Sequence, residues 1–198
     1  MPRVSSEYLA ARRRHILAAA ARRFVRDGFH QTSIQDVIDE AGLSPGGVYR
    51  YFRSKDDIIV AISLEAIGAV QEVVQDAVRT HRPLAELVAA LPQAIAELDQ
   101  ADDRMRLAVQ AWGEALRNPT LGEAMREGAA TVVAVLRERI LVGQQDGDVA
   151  AQVDPDAAAH ALLSLIQGFI LQRAWNPELS ADVYGCGAGA VVAGMLAA

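Results

Sequence analysis

Three helix-start signals lie close together near the N-terminus, and they constrain the fold more than any other feature of the sequence. Ser33, Ser44 and Ser54 each carry a hydroxyl that can accept a hydrogen bond from the first turn of a helix. Gly42 stands between the first two, and glycine tolerates the positive φ that ends a helix. This spacing predicts short helices over residues 33–42 and 44–52, a rigid turn between them, and a long helix over residues 55–79.

The rest of the chain also has the pattern of helices. Alanine occupies 37 of the 198 positions, and the β-branched and aromatic residues form no alternating runs of the kind that strands require. An apolar face from Leu9 to Phe24 predicts a first helix that ends at Gly28, and Pro92 should kink or split the helix that contains it. We expect an all-α chain of about nine helices, the later ones over 84–98, 102–117, 119–142, 155–175 and 178–197.

Charge divides the chain into two parts. The formal net charge is −6, yet residues 1–60 hold 10 of the 19 basic groups and 7 of the 25 acidic groups, a net of +3. The remaining residues carry a net of −9. A basic N-terminal unit favours a polyanion such as nucleic acid as its partner, whereas the acidic remainder does not.

Several function classes lack the residues that they need. Cys186 is the only cysteine and the four histidines do not cluster, so we expect no disulfide, no metal site and no cofactor. The sequence has neither a nucleophile elbow nor a phosphate-binding loop, so an enzyme is not expected. The charge-free stretches 157–172 and 183–198 are shorter than the about 20 residues that cross a bilayer, and the N-terminus lacks a secretory signal. We therefore expect a cytoplasmic protein with no membrane partner.

A helix, a turn containing glycine and a second helix within a basic segment form the arrangement that places a recognition helix in the DNA major groove. On geometry alone an ordinary helical hairpin is the commoner explanation. Tyr49, Arg50 and Tyr51 lie on one turn of the second helix, with Lys55 soon after. Their hydroxyls and cations suit phosphate oxygens, and they favour DNA binding over a plain hairpin.

The stretch 16–59 resembles the N-terminal domain of the tetracycline-repressor (TetR) family of one-component bacterial transcription regulators. The anchors in register are Ala20, Phe24, Gly28, Phe29, Thr32, Ser33, Ala41, Gly42, Ser44, Gly46, Tyr49, Phe52 and Lys55. The resemblance implies a helix-turn-helix DNA-binding domain over 1–54 and a helical ligand-binding and dimerisation domain over 55–198, connected by the helix 55–79. It further implies a dimer that binds a palindromic double-stranded DNA operator and is released by a small-molecule effector.

The resemblance also assigns DNA contacts to individual residues. Phosphate contacts fall on Ser33, Tyr49, Tyr51 and Lys55, with Thr32 as a further candidate, and groove-facing positions fall on Ser44, Pro45, Gly46, Gly47 and Arg50. Many relatives have lysine, serine or threonine where this chain has Pro45, Gly46 and Gly47, so base reading by this turn should be sparse. Arg50 is then the best candidate for bidentate pairing with guanine.

The first helix adds a group of arginines whose role the pattern leaves open: Arg12, Arg13, Arg14, Arg22, Arg23 and Arg26. Helical spacing puts them on more than one side of the helix, so only part of this charge can face DNA. The remainder would form a solvated face.

The last two helices carry more apolar surface than one domain core is expected to cover. Residues 155–175 have one stripe through Leu162 and Phe169 and a second through Leu163 and Ile170. Interior glycines such as Gly187 cost helix stability, which close approach of another backbone can offset. We predict a homodimer formed through these two helices, the alternative being an interior helix pair within a monomer.

A ligand pocket is predicted among the long helices of the second domain. The candidates on the helix 102–117 are Met105, Val109, Trp112 and Glu114, and later helices can contribute Met125, Phe169, Gln172 and Trp175. Such a lining suits an apolar or aromatic molecule with few polar anchors, while Glu114 would favour a cationic one. The alternative is that most of these residues only pack in the core, as methionine and aromatic stripes usually do.

Two functions are thus to be distinguished. The favoured one is a transcription regulator, and more specifically a repressor. A small and largely apolar ligand would release it from DNA. The alternative is a helical ligand-binding or protein-interaction module that does not bind DNA. Retention on duplex DNA at low salt separates the two.

Overall fold

The computed structural model describes residues 6–80, 82–99 and 103–196, and within these ranges the chain forms nine α-helices and no strand. This confirms the predicted all-α class. The predicted helix limits at residues 102 and 197 lie outside the described residues. In chain order the helices are α1 (Ser6–Gln31), α2 (Ile34–Ala41), α3 (Pro45–Tyr49), α4 (Lys55–Val78), α5 (Leu84–Asp99), α6 (Arg104–Ala115), α7 (Pro119–Asp146), α8 (Pro155–Trp175) and α9 (Ala181–Leu196).

The serine signals near the N-terminus do cap helices. Ser33, Ser44 and Ser54 each accept a hydrogen bond at their Oγ from the backbone N–H three residues ahead, over 3.1–3.3 Å. Gly42 ends α2 in the left-handed conformation, with a φ of 62°. A turn of three residues therefore separates α2 from α3, which is shorter than predicted and ends at Tyr49.

Helix α1 breaks at Gly28, as the sequence predicts. The φ of Gly28 is +81°, which falls outside the helical range and favours glycine. Beyond the break Thr32 Oγ1 donates to the Gly28 carbonyl over 2.8 Å. Phe29 packs edge-on against Phe24, with ring centroids 4.9 Å apart. The break thus lets the end of α1 return to the core of the N-terminal helices.

The described residues contain two hydrophobic cores, and α4 contributes to both. The first core joins α1, α2 and α3, which we call the head, to the first half of α4. The second lies among α5–α9, which we call the body, and the rest of α4. Leu107 and Ala111 of α6 and Leu121 of α7 pack in the head core, although they follow the proposed domain boundary at residue 54. Hydrophobic contacts therefore continue from head to body through α4 and α6.

One face of α9 is covered by α5 of the same chain. A Cβ atom on Gly185 would overlap the carbonyl oxygen of Ala89, and one on Gly189 would lie 3.0 Å from the carbonyl oxygen of Ala85. Glycine at these two positions allows the two helices to approach at backbone distance. These two glycines are not the ones on which the dimer prediction rests, among which is Gly187.

Both apolar stripes of α8 are also covered within the chain, which corrects the expectation that one core cannot use both. Leu162 and Phe169 lie against α5 and α9. Leu163 and Ile170 lie on the opposite side, towards α4, α6 and α7. The expectation was wrong because α8 lies between two layers of helices rather than at an edge.

A third face of the last two helices is open. Its side chains are small or apolar and carry no charge, and a Cβ atom on Gly187 would meet nothing within 4 Å. This face is the surface that a second copy could cover, and the homodimer stays a prediction. Its exposed or half-buried members are Ala157, Ala161, Ser164, Val183, Cys186, Gly187, Ala190 and Val191.

The later helices differ from prediction at the end of α7, at the start of α9 and around Pro92. Helix α7 continues through the polar stretch after Val142 and stops only at Gly147, whose φ is +79°. Helix α9 begins at Ala181, because residues 176–179 first form a hydrogen-bonded turn. Pro92 lies inside α5 without splitting it. Among the described residues no helix combines the length and hydropathy that a bilayer crossing requires.

Candidate functional site

Helix α3 is anchored on one side and open on the other. Val48 is fully buried in the head core, and Phe52 follows it there. Tyr49 is 47% exposed on the opposite side. The structure thus brings most of the predicted groove and phosphate positions to one surface, where Ser44, Pro45, Gly46, Tyr49 and Arg50 are exposed and Gly47 and Tyr51 are half-buried.

The two glycines of α3 are not required by the fold. Neither has a positive φ. A Cβ atom on Gly46 would meet nothing within 4 Å, and one on Gly47 would make an ordinary contact with Ser44 Oγ at 3.4 Å. Glycine inside a helix costs roughly 0.5–1 kcal/mol relative to alanine. The packing of the described residues therefore leaves room for a side chain at both positions.

Lys55 connects the start of α4 to the end of α1. Its Nζ donates to the carbonyl oxygen of Phe29 over 2.9 Å. An ammonium has three donors, so the same group can also reach a phosphate oxygen. Thr32 does not lie on this surface. It is only 2% exposed, and its hydroxyl is used within the protein, where it closes the turn at Gly28.

A carboxylate already occupies the N-terminal end of α2. Asp36 accepts hydrogen bonds from the hydroxyl of Ser33 over 2.6 Å and from its backbone N–H over 2.8 Å, and a third from Arg23 over 3.0 Å. The bonds from Ser33, that of the hydroxyl first, hold the pKa of Asp36 below its usual value. Ser33 therefore serves first as a cap, and a phosphate bound there would share its donors with Asp36.

Four of the arginines of α1 form ion pairs with carboxylates. The bonds from Arg13 to Glu65, Arg22 to Glu40, Arg23 to Asp36 and Arg26 to Asp27 are 2.9–3.1 Å long. The guanidinium of Arg13 also lies 5.3 Å from the centre of the Phe52 ring. Much of this basic charge is thus paired within the head or with α4.

A side chain of the body forms hydrogen bonds with the backbone groups on either side of the break in α1. Gln110 of α6 accepts a hydrogen bond at Oε1 from the backbone N–H of Phe29 over 2.9 Å and donates from Nε2 to the carbonyl of Phe24 over 3.1 Å. These two backbone groups lie on either side of Gly28. Next to them Glu114 lies 3.7 Å from His30. Helix α6 is therefore joined to the head by hydrogen bonds as well as by apolar packing.

A cavity of about 90 Å³ lies among α4, α6, α7 and α8. A wider cleft of about 200 Å³ between α1, α4 and α6 carries charged residues on its rim, among them Arg14 and Glu65. Small-molecule sites are mostly apolar with a few polar groups, so the smaller cavity is the better candidate. It is lined by Ser63, Ala66, Ile67, Val70, Gln71, Ala108, Ala111, Trp112, Met125, Gly128, Ala129, Val132, Leu163, Ile166, Gln167 and Ile170.

Two of the eight predicted ligand residues, Trp112 and Met125, line this cavity. The others do not, since helix rotation directs them elsewhere. Met105 and Phe169 are buried in the body core, and Val109 is half-buried outside the cavity wall. Glu114 faces His30 of the head. Gln172 and Trp175 are exposed near the end of α8, Trp175 by 67%.

The predicted set missed the contribution of α4. Ser63, Ile67, Val70 and Gln71 form one wall of the cavity. These four residues are spaced three to four positions apart or adjacent, which places them on one face of α4. That spacing was the signal in the sequence that could have identified them. Within the described residues no group of three or more histidine, cysteine, aspartate and glutamate side chains is placed to hold a metal ion.

Two family models match consecutive parts of the chain. Residues 16–62 match the model described as "Bacterial regulatory proteins, tetR family". Residues 69–193 match the model described as "BetI-type transcriptional repressor, C-terminal". The two matched segments correspond to the head with the start of α4 and to the body with the rest of α4.

Individual proteins are similar over most of the chain. The HTH-type transcriptional regulator UidR of Escherichia coli (strain K12) is 27% identical over 161 residues, which cover 80% of this chain and 79% of UidR. The solved structure of Salmonella enterica GusR has a TM-score of 0.73 at 27% identity, over 98% of this chain and 99% of GusR. A complex of SmeT with triclosan has a TM-score of 0.74 at 22% identity, over 93% and 91% of the two chains, and shows likeness of fold.

Proposed function

This chain belongs to the tetR family of bacterial regulatory proteins, and from that premise we propose that it represses transcription and responds to a small ligand. In this proposal a homodimer binds a palindromic operator, and a small, largely apolar molecule in the cavity releases it. The chain would do so in the cytoplasm, where the chromosome lies.

The exposed surface of α3 is the observation that carries the proposal. Its open face holds a tyrosine hydroxyl and a helix start without bulky side chains, and the exposed Arg50 follows its last residue, an arrangement that suits entry into a major groove. Arg50 is the candidate for base contact, and Tyr49 and Lys55 are candidates for phosphate contacts.

The proposed ligand response rests on the helices that wall the cavity. Helix α4 starts at the head, where Lys55 bonds to Phe29, and its middle forms one wall. Helix α6 forms another wall and holds the head through Gln110. A cavity of about 150 Å³ is known to admit benzene, so a ligand of that size or larger would have to displace these walls. Displacement of α4 and α6 would change the separation of the two α3 helices in a dimer, and with it the fit to successive grooves.

The SmeT–triclosan complex supports a ligand role for a protein of this fold. Triclosan is bound by SmeT. For the present chain we carry over only the class of ligand, a small organic molecule, which agrees with the apolar lining of the cavity.

The direct test is selection of bound duplexes from a random DNA library, repeated in the presence of candidate ligands. We expect a palindromic consensus and loss of binding with an active ligand. The alternative function, a helical module that does not bind DNA, predicts no enriched sequence and no retention on duplex DNA at low salt. Those two results together would reject the repressor.

A further inference from the structure

The hydroxyl of Ser63 is a buried polar group without a partner, located in the wall of the cavity. Ser63 lies in α4, is 1% exposed, and its Oγ makes no hydrogen bond within the protein. Helical serine and threonine usually donate to the carbonyl four residues earlier. Ser164 and Thr131 of this chain do so, over 2.9 Å each. An unpaired buried hydroxyl is costly, so it needs an explanation outside the stability of the fold.

The surroundings of Ser63 restrict what could pair with it. The side chains that line the cavity are apolar apart from Ser63, Gln71, Gln167 and the indole N–H of the half-buried Trp112, and none is charged. Gln71 already donates to the carbonyl of Gly128 over 3.1 Å, and Gln167 is exposed. A charged ligand would lose its water here and gain no ionic partner, which opposes its binding. Ser63 is thus the buried polar group in the wall that lacks a partner.

We propose that Ser63 is the polar anchor of the effector site, and that the effector is an uncharged, mainly apolar molecule with one hydroxyl or carbonyl group that hydrogen-bonds to Ser63 Oγ. This inference rests on the proposed ligand role of the cavity and adds the chemical class of the ligand. A hydroxyl can donate or accept, so either an alcohol, a phenol or a ketone satisfies it. A cationic effector, suggested by Glu114, does not fit, because Glu114 lies outside this wall.

Two probes of equal shape test the anchor. Phenol carries a hydroxyl where toluene carries a methyl group, and binding of both is measured by calorimetry on the full chain. We expect phenol to bind the unmodified protein more tightly than toluene. In Ser63→Ala the preference for phenol should fall by roughly five- to tenfold, the value of one net hydrogen bond. The comparison is a ratio, so a general change in cavity shape cancels from it.

Two further variants serve as controls. Ser164→Ala removes a hydroxyl from the open face of α8, where it already bonds to His160, and should leave the ratio unchanged. Ala129→Phe fills the cavity and should abolish binding of both probes. Ser63→Ala should also raise the thermal midpoint of the unliganded protein, because it removes an unpaired buried group.

Each outcome decides a separate point. A preference for phenol that survives Ser63→Ala, or unmodified protein that binds phenol no more tightly than toluene, overturns the anchor. If the anchor is overturned but Ala129→Phe still abolishes binding of both probes, the cavity remains the ligand site and only the role of Ser63 is wrong. If Ala129→Phe leaves binding of both probes intact, the cavity is not the site, and the proposed ligand response fails with the anchor.

Discussion

Arg50 and Tyr49 are neighbours on the exposed side of α3, but we expect them to contribute to DNA binding in different ways. Arg50→Ala should relax the preference at one base per half-site, because a bidentate arginine–guanine pair discriminates by about 1–3 kcal/mol. Tyr49→Phe should weaken binding almost equally on all sequences, since phosphate contacts carry no base information. Selection of bound duplexes with each variant measures both effects. An unchanged consensus for Arg50→Ala would assign Arg50 to the DNA backbone and leave specificity to DNA shape.

Ser33 links the stability of the head to pH through Asp36. Loss of an N-cap serine typically costs about 1 kcal/mol of folding free energy. Ser33 holds the pKa of Asp36 below its usual value, so their interaction stabilises the folded state above the pKa of an unfolded aspartate and is lost as the pH falls through the folded pKa. The destabilisation by Ser33→Ala, measured by urea unfolding, should therefore be largest near neutral pH and shrink in acid. Ser44→Ala removes a cap with no carboxylate partner, and its cost should not vary with pH in this way.

The contact between α6 and α1 is where a signal from the cavity should reach the head. Gln110→Ala removes both bonds across the Gly28 break, while Trp112 in the cavity wall is unchanged. We expect ligand affinity to stay within about twofold, because no lining residue is altered. The factor by which the ligand lowers operator affinity should fall by several-fold. Binding of ligand and of operator, each with the other present and absent, gives that factor.

Gln145→Ala is the matched control for this experiment, since Gln145 is exposed on α7 and touches neither the cavity nor the head. Equal coupling in Gln110→Ala and Gln145→Ala would mean that the two hydrogen bonds of Gln110 do not carry the response, which would then pass through α4 or the apolar packing of α6.

The close packing of α5 on α9 depends on glycine, which has no side chain, at position 185. Gly185→Ala would place a Cβ atom against the carbonyl of Ala89, so the helices must separate. Overpacking of this kind typically costs about 1–3 kcal/mol. Gly113→Ala, in α6, meets nothing within 4 Å and should be neutral or stabilising by up to about 1 kcal/mol. Denaturant midpoints compare the two variants, and equal midpoints would mean that α5 and α9 pack less closely than described.

Local signals predicted the elements well, and the contacts between elements less well. The caps at Ser33, Ser44 and Ser54 and the break at Gly28 depend on neighbouring residues, so the sequence was sufficient to place them. The neighbours of α8 depend on helices far away in the chain, which periodicity does not specify. For the same reason only two of the eight predicted ligand residues line the described cavity, and the wall from α4 was missed.

The assembled molecule should be a dimer formed through the open face of α8 and α9. Replacement of both Gly187 and Ala190 by arginine places two charges on an exposed face that has none at these positions, so the fold should survive and the dimer should dissociate. Light scattering at micromolar concentration gives the mass, and circular dichroism checks that the helices are intact. An unmodified chain that is already monomeric would leave the open face without a role in assembly.

Lys55 is the only lysine in the chain, so an acylating reagent has a single lysine side chain to modify. Its ε-ammonium, bonded to the Phe29 carbonyl beside α3, is the one side-chain amine that an N-hydroxysuccinimide ester can modify. A duplex bound over the same nitrogen should shield it from the reagent. The fraction of the Lys55 peptide that gains the mass of the acyl group would then report how much of the protein is free of operator, without a label on the protein or the DNA.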